Sequence, residues 1–239
     1  MMAAAFRRIF FAAIIGGLVA GILLSAIQAF KVLPLIWQAE KYEAMAPSRQ
    51  GAVQSNRESP LAAAEWQPAD GLGRFFHTVL FNILSGIGFA LVLAAALAMR
   101  GNPDWREGLL WGAGGFVAFS LAPALNIPPV LPGMMPGDVA TRQLLWAVTG
   151  IVTAGGLGLV VFFPRPAIKG AGAVLIAAPL VFGEALMDFS QASPVPAELA
   201  ASFVSATLVT SLLFWLAMGG CSGYVFSRLS ASHGSSRNR

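Results

Sequence analysis

Two carboxylates one helical turn apart, Glu184 and Asp188, stand near the end of a long apolar stretch, with Met187 beside Asp188. At i and i+4 they share a helix face. Turned into a helix bundle, that face could bind a divalent cation or relay protons, because an ionisable group inside a span is costly and usually functional. Set in the headgroup region, Asp188 would instead be solvated and Glu184 would snorkel towards it. A second acidic pair, Glu40 and Glu43, brackets Lys41 and Tyr42 at i and i+3. Its oxygens suit hard or borderline divalent ions, and the same pattern also reads as a helix end with scattered, solvated charge. His77 brings an imidazole, a common ligand for cobalt, nickel and zinc. A lone histidine near an interface serves equally as an amphipathic anchor, since a metal site needs several convergent ligands. Glu40, Glu43, His77, Glu184 and Asp188 are therefore the candidate metal ligands.

The other polar residues add little chemistry. Thr78 and Asn82 lie one turn apart and read either as the lining of a polar path or as interhelical hydrogen-bonding groups. Met134 and Met135 are soft donors without a cysteine or histidine nearby, and the single cysteine, Cys221, has no partner for an internal disulfide. The chain has no nucleotide-binding Gly-Lys loop, no H-E-x-x-H and no nucleophile with a base. An enzyme is disfavoured, and coupling to ATP would need another subunit. No permanently bound cofactor and no nucleic-acid partner is expected; the expected surroundings are membrane lipid.

These residues are carried by six apolar stretches of 17 to 26 residues, at 9–30, 75–99, 108–125, 144–163, 171–187 and 199–224. A hydrocarbon core of roughly 30 Å takes about 20 residues of helix to cross, and lipid tolerates no unpaired backbone, so the spans should be helical. Hydrophobic residues are 56% of the chain and charged residues 11%, well under the roughly 25% charged of soluble domains. The expected fold is an all-α integral membrane protein. It would be a bundle of six transmembrane helices, with five the alternative, and its first helix would extend beyond the membrane with Pro34 absorbed as a kink. One transmembrane domain would occupy 1–229 with an external loop at 44–73, and a disordered tail would follow at 230–239. The first stretch follows Arg7 and Arg8 like a signal sequence, yet at 22 residues it exceeds the usual apolar region and no A-x-A site follows.

Charge orients the spans. With the N-terminus inside, nine basic residues lie on the inner side: Arg7, Arg8, Arg100, Arg106, Arg165, Lys169, Arg228, Arg237 and Arg239. Six lie outside, five of them in the first loop, where distance from the span ends weakens their vote. Both termini are thus expected in the cytoplasm of a bacterial inner-membrane protein. The inner side holds only two acidic residues, Asp104 and Glu107, and the outer side nine, giving a negative outer face. Such a face concentrates cations, or is simply a set of solvated loop charges. Between the spans, Gly101-Asn102-Pro103-Asp104 reads as a tight inner turn with Asp104 capping the next helix, and the four-proline segment 126–138 reads as an ordered outer loop or a shallow re-entrant turn. Glycines are dense within the spans, as close helix packing permits.

The chain as a whole resembles the CbtA family, subunits of a bacterial cobalt transporter. Phe6-Arg7-Arg8 leads into a Gly/Ala/Leu-rich span, and Ala39-Glu40-Lys41-Tyr42-Glu43 is similar to the family's A-E-x-Y-E ending. Gly108-Leu109-Leu110-Trp111-Gly112, Leu121-Ala122-Pro123-Ala124-Leu125 and Leu131-Pro132-Gly133 are similar to its central block, and Pro196-Ala197-Glu198-Leu199-Ala200 with Phe214-Trp215 and Gly223-Tyr224 follow it to about residue 228. Where that family often carries P-H-x-x-G-A-P, this chain has Pro179-Leu180-Val181-Phe182-Gly183-Glu184-Ala185, with Leu180 at the histidine position. A metal role there would pass to Glu184 in the next turn, or the cargo would differ. The resemblance implies uptake of cobalt linked to cobalamin supply, and the expected function is the permease subunit of a divalent-metal importer, with cobalt first and nickel second. It also implies a small single-span partner, CbtB, with a histidine-rich end, and a homo-oligomer is a further possibility. The rival reading is a membrane scaffold that assembles a partner without transporting anything.

Overall fold

The computed structural model of the chain describes residues 2–45, 72–101, 103–134, 138–182 and 193–235, and all regular structure in them is helical. Helix α1 (Met2–Ile27) passes through a π turn (Gln28–Val32) into α2 (Leu33–Met45). After α3 (Leu72–Met99), helix α4 (Trp105–Phe116) passes through a second π turn (Val117–Leu121) into α5 (Ala122–Asn126). Helices α6 (Val139–Phe162), α7 (Pro166–Phe182) and α8 (Ala197–Ser235) follow among the described residues.

Five helical bodies are long and apolar enough to cross a membrane: Phe6–Met45, Gly73–Met99, Trp105–Asn126, Val139–Phe162 and Ala197–Ser230. The fifth apolar stretch forms α7, whose apolar run within the described residues, Pro166–Pro179, is shorter. The protein is an all-α membrane protein. Its last helix continues past Ser230 to Ser235.

Both π turns have the same cause. Pro34 and Pro123 each follow the end of a π turn by two residues. A proline inside a helix lacks an N–H and its ring presses on the carbonyl four residues back. Widening the preceding turn by one residue relieves that collision. The widened register shows where the Leu33 N–H donates to the Gln28 carbonyl and the Ala122 N–H to the Val117 carbonyl. Pro34 is thus accommodated by a local change of helix type that carries the first helix outward as α2.

Two helix starts are capped. Asp104 accepts from the Glu107 N–H at 2.8 Å and opens α4 after the Gly101 turn, where φ is +103°. Asp138 accepts from both the N–H and the hydroxyl of Thr141 at 2.8 Å and opens α6. Those hydrogen bonds hold the Asp138 carboxyl below its ordinary pKa.

Helix α1 packs on α3 and on α8, and α8 packs on α4; the α6–α7 hairpin joins this group largely through the second π turn and α5. The core combines small residues with large ones: Ala12, Ala13, Ala20, Ala90, Ala94, Leu97 and Met218 are fully buried, with Phe214, Trp215 and Phe226 beside them. Lipid supplies no hydrophobic drive for helix association, so close backbone approach must supply the dispersion energy. Gly108 and Gly112 on α4 lie against Gly219 and Gly223 on α8, and a Cβ on Gly219 would overlap the Gly108 carbonyl. Gly17 on α1 meets Gly86 on α3 in the same way, and Gly156 on α6 meets Gly172 on α7.

The crossing at Gly219 and the open site at Gly88 are expected to respond oppositely to the same change. Gly219→Ala should lower thermal stability in detergent by about 1–3 kcal/mol. Gly88→Ala, where nothing lies within 4 Å, should be neutral or up to about 1 kcal/mol stabilising through helix propensity. Melting followed by circular dichroism checks both, and equal effects would contradict the crossing.

Candidate functional site

Beyond the first span, α2 is held as part of a packed platform. Val32 and Ala39 cluster with Leu131 of the four-proline segment and with Val195 and Phe203 at the start of α8; Leu35, Ile36, Met134 and Leu199 pack around them. The segment 127–134 is an ordered loop in which Arg142 donates to the Pro128 carbonyl at 3.1 Å and the Leu131 N–H approaches Met134 Sδ at 3.4 Å. Gly133 turns the loop at φ +81°, and a side chain on it would meet Glu43.

This platform positions two of the candidate ligands. Glu43 lies one turn beyond the buried Ala39, so it continues the packed face of α2 and rests beside the Gly133 turn. Glu40 is exposed on the adjoining face. His77 stands exposed at the start of α3, where Nδ1 lies 2.8 Å from the Gly73 carbonyl. A carbonyl only accepts, so Nδ1 carries the proton and, in the neutral ring, Nε2 carries the lone pair. Glu184 and Asp188 fall outside the described residues. Among the described residues no group of three or more His, Cys, Asp and Glu converges as a metal cage.

Thr78 and Asn82 do not line one path. Thr78 is exposed and donates to the Arg74 carbonyl of its own helix at 3.0 Å. Asn82 is buried between α3 and α1, where its Nδ2 donates to Ser25 Oγ at 3.0 Å and to Gln28 Oε1 at 2.7 Å. Ser25 in turn donates to the Gly21 carbonyl at 2.8 Å. The sequence reading missed Ser25 and Gln28; their signal was two polar residues three apart in an otherwise apolar span.

A second polar constellation surrounds the second π turn. Pro123 cannot donate to the Phe119 carbonyl four residues back, and that carbonyl instead accepts from Trp146 Nε1 at 3.2 Å. One residue on, Ser120 Oγ accepts from Trp215 Nε1 at 3.0 Å. The rings pack together, with Phe119 stacked on Trp215 at 5.9 Å and 13°, and Phe89 5.1 Å from Trp215. Gly115 makes room for the Trp215 ring, and Gly150 for that of Phe119. Where α5 ends, Asn126 donates to the Pro179 carbonyl at 2.8 Å and ties the α6–α7 hairpin to the rest.

Such an arrangement belongs to a multi-pass membrane protein with polar groups inside its bundle and carboxylates on a platform beyond one end. The family model described as probable cobalt transporter subunit (CbtA) matches residues 6–227, and the chain belongs to that family. Searches of the curated proteins and of the solved structures find no match.

The pairing of Trp146 with the proline-freed carbonyl can be tested by a double-mutant cycle. Trp146→Phe should cost about 1–3 kcal/mol, the penalty for an unpaired acceptor away from water. Pro123→Ala restores a backbone donor, so the same Trp146→Phe change should cost clearly less in that background. Additive effects on detergent melting would mean that the indole does not serve that carbonyl.

Proposed function

We propose that the chain is the permease subunit of an importer for a divalent transition metal, cobalt first and nickel second, that feeds cobalamin supply. The observation that carries this reading is the family match over residues 6–227. The platform supports it, because Glu40 and Glu43 stand near each other on a braced helix beyond the first span. Carboxylates there would draw a hydrated cation and replace part of its water shell. Glu184 and Asp188 would extend the acidic mouth, and His77 would offer one imidazole. The metal is cargo in this reading, and the chain is not an enzyme. Both termini would lie in the cytoplasm of the bacterial inner membrane, with basic residues inside. A single-span, CbtB-like subunit with a histidine-rich end would complete the coordination, and self-association would be a further level of assembly.

The rival is a membrane scaffold that assembles such a partner. What favours it is that no three candidate ligands converge among the described residues. Uptake of labelled cobalt and nickel separates the two, measured in cells expressing the chain with and without the neighbouring small subunit. Glu40→Ala, Glu43→Ala and Glu184→Ala should each weaken uptake by roughly threefold to tenfold at matched protein level, about the worth of one partly hydrated charge contact. Unchanged uptake in all three would remove the site, and absence of uptake with any partner would leave the scaffold.

A further inference from the structure

We propose that a cation passing through the bundle is held in its outer half by uncharged oxygens, between Gln28 of the first π turn, Asn82 of α3 and Thr207 of α8. The starting point is one hydroxyl. Those of Ser25, Thr78, Ser205 and Thr210 each turn back to the carbonyl four residues before them, at 2.6 to 3.0 Å. Thr207 Oγ1 does not. It is enclosed and makes no hydrogen bond among the described residues. In lipid an unmade bond of that kind is costly, so this hydroxyl serves something other than its own helix.

Two packing registers bring Thr207 to the Asn82 network. Helices α1, α3 and α8 each touch the other two, and α8 also touches the first π turn. Against α1, α8 runs antiparallel: Gly16 lies on Ser222 and the Met218 carbonyl, and further out Val32 and Phe203 share one cluster. Gln28 is four residues inward of Val32 and Thr207 four inward of Phe203, so the two stand at one level. Against α3, α8 runs parallel, with the Phe89 ring 5.1 Å from that of Trp215. Two turns outward of that pair are Asn82 and Leu208, the neighbour of Thr207. Both registers therefore give the same level.

The groups that meet there suit a cation. Asn82 spends its Nδ2 on Ser25 Oγ and Gln28 Oε1, at 3.0 and 2.7 Å, which leaves Oδ1 as its acceptor. With the second lone pair of Gln28 Oε1 and with Thr207 Oγ1, that makes three oxygens from three helices and no carboxylate among them. Such a set replaces a few waters of a hard or borderline cation and lets it go again, as passage requires. Glu40 and Glu43 stand outward of this level on the first helical body, so the interior site is the next station for a cation drawn to the platform. The identity of that cation rests on the importer reading.

The test uses the full-length protein in maltoside detergent, in a Glu40→Gln, Glu43→Gln background that silences the platform, with melting followed as cobalt(II) chloride is titrated. Cobalt should raise the melting temperature to saturation. Thr207→Val keeps the shape and loses the oxygen. Without metal it should melt no lower than its parent, because the hydroxyl it removes is unpaired, and it should need about fivefold more cobalt. Thr207→Ser restores the oxygen and should stay within about twofold of the parent, as should Ser205→Ala, whose hydroxyl serves its own helix. In the otherwise native chain, Thr207→Val should weaken cobalt uptake by cells that also express the small neighbouring subunit. A titration unchanged by Thr207→Val, no titration in the parent, or a clear loss of metal-free stability in Thr207→Val would each overturn the site. The importer reading fails separately: uptake absent with the titration intact removes the importer and leaves the site, whereas uptake present with a titration that Thr207→Val does not move removes the site and leaves the importer.

Discussion

The contact of backbone on backbone between α4 and α8 is the constraint on which the rest of the bundle depends. Gly108 and Gly112 face Gly219 and Gly223 with no side chain between them, so the two helices meet closely where lipid cannot push them together. That approach brings Trp215 against Gly115 and leaves its indole within reach of Ser120. The same α8 carries Ser222, which donates to the Ala12 carbonyl at 3.3 Å, and so fixes α1. Helix α1 then holds α3 through Gly17 and Gly86. The five buried alanines of α1 and α3 follow directly, because larger residues there would part helices whose attraction rests on proximity.

Proline and lipid make opposing demands, and the region around the second π turn satisfies both. Pro123 deprives the helix of one donor, while the bilayer offers no water to replace it. Trp146 from α6 fills the gap, so the hydrogen bond that repairs α4 also fastens the α6–α7 hairpin. Asn126 does the same from α5 to the Pro179 carbonyl. Two polar side chains thereby carry much of the specific attachment of a hairpin whose own halves touch through Gly156 and Gly172.

The apolar lengths were readable from the sequence, since a bilayer sets them; the Asp104 cap was legible in the Gly101–Asp104 turn, and the family in the resemblance carried by its ordered motifs. What escaped was everything that depends on a partner across space. Gly86 and Gly88 are two residues apart on α3, yet one is pressed against Gly17 and the other has open space around it. Thr78 and Asn82 share a face by spacing and part company in the structure, because only Asn82 reaches the polar groups Ser25 and Gln28 of the first helix. Glu40 and Glu43 were legible as a pair; the Gly133 turn beside Glu43 was not, being 90 residues away in sequence. The acidic pair Glu184 and Asp188 lies outside the described residues, so the structure adds nothing to what spacing alone implies for it.

The first π turn also sets the rotational phase of everything beyond it. One additional residue in a turn displaces all later side chains by about 100° relative to an unbroken helix. A helical wheel drawn continuously from α1 into α2 would bring Gln38 to the position that Ala39 occupies in the packed platform, and Tyr42 to that of Glu43. A single inserted residue, called for by Pro34, thus decides that a carboxylate and not a phenol stands beside the Gly133 turn.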